Sequence, residues 1–399
     1  MVWQEGASLA EQFEEACVVH RQLLGHQRQP GKTYQGWVKA WVKWSPRLLA
    51  LVMPHLRALI QTMALASGDG GGGGCWMIDG WVLMGCDGTR IDAPRTADNE
   101  AAFGCGGKKK TTPQLWLTTV MHLATGLPWC WKIGKADASE RGHLRQMLGL
   151  LPAMTLLIAD AGYTGFSLLT ALIEAEHHFL IRVGANVHLL TTLGYDVREY
   201  DGIVYLWPQG QRQRGVAPLV LRLIRLHDGR RPMCLLTNVL DPRKLSDRQA
   251  ARFYRLRWGL ELWYRAMKQT LRRRKLHSHA PVQAALELRW AIVGLACLGL
   301  LQVRALLERG LDPHHASAAG ALRVVRAMMR QPQRRLRRGQ DLPCRLRGAV
   351  LDDYQRKAPK TARDWPHPKK EKPPGCPQLR PATEAEIQAA QQLPRRNAA

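Results

Sequence analysis

Apolar positions recur at helical spacing through the first 66 residues. SLAEQFEEACVVHRQLL, YQGWVKAWVKW and PRLLALVMPHLRALIQTMALA read as successive helices. The pattern then changes to short apolar runs: WVLMGCD (81–87), LWLTTVMHL (115–123), PWCWKIG (128–134) and MTLLIAD (154–160). These read as strands, the middle two as a hairpin over ATG (124–126). SERGHLRQMLGLL (139–151) and residues 166–177 read as helices. The order strand, strand, strand, helix, strand, helix predicts an α/β domain with a mixed sheet. From 177 to about 240 come HFLIRV, VHLLTTL, IVYLW, PLVLRLIRLH and MCLLTNV, a β-rich stretch. Ser246 to Lys275 then reads as one long helix with Ser246 as N-cap. A strongly apolar helix follows at 282–309 and another at about 316–331.

This pattern divides the chain into an N-terminal helical region (1–69), a glycine hinge (70–74), a first part of the α/β core (75–183), a β-rich insertion (184–240), helices completing the core (241–310) and a basic C-terminal region (311–399). The first region is either a DNA-contacting module or a helical cap on the core. Residues 88–114, including GCGGKKK (104–110), read as a long connection, which inside a domain is either functional or a misreading of the elements. From Gln331 to Arg380 there are fourteen Lys or Arg against five acids, with clustered prolines. That composition predicts a partly disordered tail suited to phosphate contacts.

Charge changes the picture most. Of 399 residues, 58 are Lys or Arg and 32 are acids, a net charge of +26. Such an excess implies a polyanionic partner, nucleic acid before an anionic membrane surface. The longest uninterrupted apolar run, Ala291 to Leu301, is too short to cross a bilayer. The N-terminus carries acids early and has no secretory apolar region, so a cytosolic protein is expected. Nine scattered cysteines with no C-x-x-C pair fit neither a zinc site nor a disulfide framework.

Three carboxylates carry the candidate chemistry. Between Arg248 and Lys275 ten Lys or Arg surround one acid, Glu261. On a helical wheel Tyr254, Arg257, Arg265 and Lys268 lie near Glu261, beside an apolar stripe of Phe253, Leu260, Met267 and Leu271. A lone acid in a cationic field suits a metal ligand among phosphate-binding groups; the alternative is a salt bridge of Glu261 with Arg257 or Arg265. Asp87 and Asp160 each end a predicted strand, where open α/β sheets place their chemistry. An Asp before or near Gly also serves as a turn residue. If the three converge, they make an all-oxygen site for Mg²⁺ or Mn²⁺. Trp207, in the WPQGQRQRG loop, is either a packing residue or a functional one.

Tyr254, Arg257, Glu261 and Lys268 stand at the spacing Y-(2)-R-(3)-E-(6)-K. This resembles the motif of bacterial DDE transposases of the insertion sequence 4 family. DGTRIDAPRT (87–96) with FGCGGKK (103–109) is similar to that family's first-aspartate region, and LLIADAGYTG (156–165) to its second. The resemblance covers about residues 77–300. It implies a ribonuclease H-like mixed sheet with a β-rich insertion and flanking helical regions. It also implies cut-and-paste transposition: hydrolysis at the element's ends, then attack of the freed 3′-hydroxyl on target DNA. Asp87, Asp160 and Glu261 become the catalytic metal ligands, while Tyr254, Arg257, Lys268 and, beside them, Arg265 become DNA contacts. Trp207 is the candidate for stacking a flipped base. The implied partners are the element's terminal inverted repeats, target DNA and a second copy in the DNA complex, in the bacterial cytoplasm at the nucleoid. A two-metal nuclease without strand transfer, or a non-catalytic DNA-binding descendant, are the alternatives.

Overall fold

A computed structural model describes residues 1–24, 33–66, 74–106, 111–195, 201–227, 232–330, 341–352 and 375–393. Along the chain come α1 (Leu9–Leu24), α2 (Tyr34–Ala66), β1 (Val82–Asp92), α3 (Ala97–Phe103), β2 (Gln114–His122), β3 (Leu127–Gly134), α4 (Glu140–Met147), β4 (Thr155–Ala159), α5 (Phe166–Glu174) and β5 (His178–Val183). The insertion holds β6 (His188–Thr191), β7 (Ile203–Leu206), α6 (Gln209–Gln213), β8 (Leu219–His227) and β9 (Pro232–Thr237). Then follow α7 (Asp247–Leu256), α8 (Trp258–Arg265), α9 (Pro281–Leu307), α10 (Ala318–Arg330), α11 (Leu342–Ala349), β10 (Gln378–Pro381) and α12 (Glu384–Gln391).

The chain forms two compact units. One comprises Met1–Ile78, Gly88–Ser139 and Trp258–Asp353; the other comprises Asp79–Asp87, Glu140–Arg257 and Tyr354–Ala399. β1 contributes its first half to the second unit and its last residues to the first. In the first unit the end of β1 neighbours β2, which pairs antiparallel with β3 as the expected hairpin. In the second unit the strands run β1, β4, β5, β9, β8, β7, β6, β10. β1, β4 and β5 are parallel, while β5, β9, β8 and β7 are antiparallel. These neighbours make the ribonuclease H-like mixed sheet, extended by the insertion.

The N-terminal helices are part of the first unit. Leu49 of α2 packs with Leu286 and Val293 of α9 in one apolar cluster, and Trp290 Nε1 donates to Ser45 Oγ at 2.8 Å. α2 was expected as two helices meeting near Pro46, yet it runs unbroken with Pro46 and Pro54 inside. An interior proline costs about 3 kcal/mol, which the burial of several large side chains against α9, at about 1.5–3 kcal/mol each, offsets. By length and composition α2 and α9 could each cross a membrane, a possibility that counting uninterrupted apolar runs missed. α9 places much of its apolar surface in the unit's core, with Leu288, Ala291, Ile292 and Leu298 fully buried.

Two further expectations change. Residues 88–114 are not one long connection: β1 runs on to Asp92, and α3 follows with Thr96 as N-cap accepting from Asn99 N. The end of GCGGKKK and nearly all of the glycine hinge lie outside the described residues. α10 falls where a helix was expected, but the stretch after it is not wholly a tail: α11 belongs to the first unit, while β10 adds to the edge of β6 in parallel and α12 caps the insertion. The Thr383–Glu386 capping box starts α12, a local signal hidden by the basic composition upstream of it.

Candidate active site

The register of β1 on β4 decides where the first two carboxylates stand. Gly85 pairs with Ile158 and Cys86 with Ala159, in parallel. Asp87 and Asp160 are therefore the next residues on adjacent strands, which run about 4.8 Å apart. Five fully buried residues, four of them apolar, make up β4, which ends just before Asp160; Asp87 was expected to end its strand but lies midway along β1, which continues to Asp92. Asp160 also caps the short turn Ala161–Tyr163: its Oδ1 accepts from Ala161 N at 2.6 Å. The turn role and the candidate chemical role thus coexist in one side chain.

Ser246 starts α7 with a complete capping box to Gln249. Phe253 and Tyr254 of α7 are buried. Tyr254 leans on the guanidinium of Arg257, 5.7 Å from its ring centre. Burial raises the Tyr254 phenol above its ordinary value; Arg257 opposes that rise and Asp160 adds to it. Arg257 Nη1 also reaches Asp87 Oδ2 at 3.9 Å, with both side chains largely shielded. One unit therefore gathers Asp87, Asp160, Tyr254 and Arg257.

The single long helix expected over 246–275 is three pieces. α7 ends at Arg257, α8 carries Glu261, and Ala266–Thr270 is a π-helical turn closed by Leu271 N to Ala266 O. The apolar stripe read from the wheel nevertheless holds, with Phe253, Leu260, Met267 and Leu271 all buried. Glu261 is partly buried on α8, in the first unit. Lys268 sits in the π turn, and its Nζ donates to Thr89 Oγ1 at 2.6 Å. Beyond the turn, Asp92 N donates to Arg274 O and Leu276 N to Asp92 O, binding this connection to the end of β1. Arg265 is exposed and lines a groove with Leu262, Trp263, Gln302 and His314.

Trp207 is a correction. It is only 4% exposed, belongs to the core cluster of the insertion, and donates its indole N–H to Val216 O at 2.6 Å. Arg212 stands over its ring and pairs with Glu386 of α12. A ring enclosed in this way packs the insertion. Sequence reasoning passed over Arg141 and Arg182. Arg141 Nε donates to Gly162 O at 2.9 Å in the loop after Asp160, and Arg182 exerts its charge on Tyr254. Arg141 opens the helix before β4, and a charged residue in a first turn carries no special signal.

Among the described residues no group of three His, Cys, Asp or Glu side chains is assembled as a metal cage. The donor chemistry nevertheless fits a hard divalent cation: two carboxylates stand side by side on neighbouring strands, and no thiol or imidazole belongs to the Asp87, Asp160, Tyr254 and Arg257 group.

Residues 86–297 match the transposase DDE domain family, and the chain belongs to it. Among known proteins the chain is similar to transposase InsG for insertion sequence element IS4 of Escherichia coli (strain K12). They are 28% identical over 265 residues, covering 63% of this chain and 59% of that protein. The chain thus spans about three-fifths of the length of the curated relative it matches. A structural likeness is found to a piggyBac transposase synaptic complex with hairpin DNA. It has a TM-score of 0.38 and 11% identity, and covers 71% of this chain and 59% of that one.

Proposed function

We propose that this protein is a metal-dependent DNA transposase that cuts the ends of its element by phosphodiester hydrolysis and joins the freed 3′-hydroxyl to target DNA. The observation that carries this reading is the β1–β4 register, in which Asp87, midway along β1, and Asp160, just past the end of β4, follow the paired Cys86 and Ala159, within the family-matched segment. In the proposal Glu261, from the same matched segment, completes the ligand set with Asp87 and Asp160, and the ion is Mg²⁺ or Mn²⁺. Such ions, when bound, supply a nucleophile at neutral pH and stabilise the leaving oxygen of an in-line displacement.

The chain's own residues do the positioning. Arg257 and Lys268 neutralise and orient the phosphates of the DNA end, and Arg257 also pairs with the Asp87 carboxylate. Tyr254 buttresses Arg257. Arg265 adds a phosphate contact on the outer face of α8. The partners are the element's terminal repeats and target DNA, with two copies acting together in the bacterial cytoplasm.

Incubating the protein with its flanking DNA and Mg²⁺ tests this. Cleaved ends together with joined products are expected. Cleavage with no joined product would instead identify a two-metal nuclease. Binding with neither product would identify a DNA-binding descendant.

A further inference from the structure

The C-terminal strand and helix are held on the second unit by more than apolar packing. Cys234, 2% exposed, lies in β9 opposite Val183 of β5. Two residues beyond Val183, Ala185 meets the chain leading into β10. A side chain at Gly375 would touch the Ala185 Cβ at 3.3 Å, and Gln378 Nε2 donates to Ala185 O at 3.3 Å. Gln378 N donates to Val187 O at 2.9 Å, fixing the approach. Cys376, next to Gly375, therefore arrives beside the β5–β9 pair, where its thiol interacts with that of Cys234. Both are free thiols, one buried and one exposed. Nothing in the ribonuclease H-like core or its proposed reaction uses them.

We propose that Cys234 and Cys376 form a peroxide-sensitive thiol pair whose oxidation to a disulfide fastens β10 and α12 to the sheet. Cys376 is the exposed partner and meets the oxidant first. Hydrogen peroxide transfers one oxygen to its sulfur, giving a sulfenic acid and one water. The Cys234 sulfur then attacks the Cys376 sulfur, the S–O bond breaks as the S–S bond forms, and hydroxide leaves with the Cys234 proton as a second water. Two thiols are oxidised by two electrons in all, and one peroxide is reduced to two waters. Cys234 is not the first target. Burial, then the interaction with Cys376, raises its thiol to about 11, so it stays protonated and is a poor first target.

The fastened segment matters because it completes a core. Ala390 is in the cluster with Leu190, Tyr205 and Trp207, with Ala382, Ile387 and Leu393 packed on it. A covalent link at Cys376, just before β10, limits how far this strand and helix can separate from the insertion, and cross-linking a long loop constrains the unfolded chain.

The test is limited peroxide treatment of the full-length protein, alkylation of remaining thiols in denaturant, and peptide mapping without reductant. A Cys234–Cys376 linked peptide within single chains is expected, with free cysteines falling from nine to seven. The melting temperature should rise on oxidation and return with dithiothreitol. Cys376→Ser, at an exposed position, should remove both the link and the rise while melting like the reduced parent. Cys376 stopping at sulfenic or sulfinic acid, or linking between molecules while Cys234 remains alkylatable, would overturn the pair. A linked protein with an unchanged melting temperature would overturn the fastening.

Discussion

Lys268 Nζ donates to Thr89 Oγ1 at 2.6 Å, two residues beyond Asp87 in the chain. The last cation of the Y-R-E-K spacing is thus tied to the strand that carries the first aspartate. Arg257, the motif's other cation, reaches Asp87 itself at 3.9 Å. Each of the two bonds lies within its own unit, and both converge on the segment 87–89.

This relationship makes Thr89 a positioning residue. Lys268→Ala should lower affinity for the DNA end about ten- to hundredfold, the worth of a charge-assisted hydrogen bond of about 1.5–3 kcal/mol. Thr89→Val should give a smaller loss of the same kind, because the ammonium remains but is no longer held. Fluorescence anisotropy with end DNA reads both effects. Equal losses of Mn²⁺ affinity in the two variants, with DNA affinity unchanged, would remove both residues from DNA binding.

The strands were the legible part of this fold. β2, β3, β4 and β5 fall within a residue or two of their apolar runs because buried parallel and central strands need nearly continuous apolar sequence. The organising stretch 246–275 was legible as helix but not as three pieces. Helical periodicity does not register the one-residue slip of a π turn, and that slip depends on tertiary bonds such as Lys268 to Thr89. Asp160 could be singled out by its place just after a strand and Asp87 by the apolar run before it, although β1 continues past Asp87 to Asp92; their adjacency needed the register of β1 on β4. Trp207 was misjudged for a similar reason. Its cover comes from α12, about 180 residues later in the chain, which no local pattern reveals.

That cover leads to a second prediction. Deleting residues 376–399 should destabilise the second unit rather than only weaken DNA binding. It strips Ile387 and Ala390 from the cluster, at about 1.5–3 kcal/mol for a large apolar side chain. It also leaves Arg212 without Glu386. Urea unfolding followed by Trp207 fluorescence should show a loss of about 3 kcal/mol or more. An unchanged midpoint with a flatter salt dependence of DNA binding would return this segment to the role of a basic tail.

His122 gives a pH dependence with a definite sign. It is fully buried, bonded to Trp76 O and Thr125 Oγ1, and burial lowers its pKa to about 4. The unfolded chain has the ordinary value near 6.5, so between the two values the unfolded state binds the extra proton. Stability is full above about pH 6.5 and declines as pH falls towards 4, by about 2 kcal/mol between pH 7 and pH 5. Urea midpoints across that range should show the decline, and His122→Gln should flatten it while lowering stability at pH 7. A parent protein equally stable at pH 5 and pH 7 would count against a neutral buried His122.

The sharpest prediction concerns Glu261. Glu261→Gln should abolish end cleavage and joining while leaving the fold and DNA binding nearly intact. Glutamine keeps the length, shape and helix propensity of the side chain, so the packing of neighbouring Leu260 is little disturbed. An amide oxygen is a poorer ligand than a carboxylate for a hard divalent ion. In a chain of net charge +26, losing one negative charge should tighten DNA binding slightly if it changes it at all. A salt-bridge role for Glu261 makes the opposite forecast: activity retained, with a stability loss on the order of 0.5 kcal/mol. Asp87→Asn and Asp160→Asn should match Glu261→Gln in activity, but Asp160→Asn should also loosen the turn at Ala161, whose N–H the carboxylate holds at 2.6 Å. Asp79→Asn is the control: Asp79 pairs with Arg252 and Gln249 at the surface, and its loss should leave cleavage at parental rates. If Glu261→Gln still cut DNA ends in Mg²⁺, the three-carboxylate site would have to be redrawn around a different third ligand.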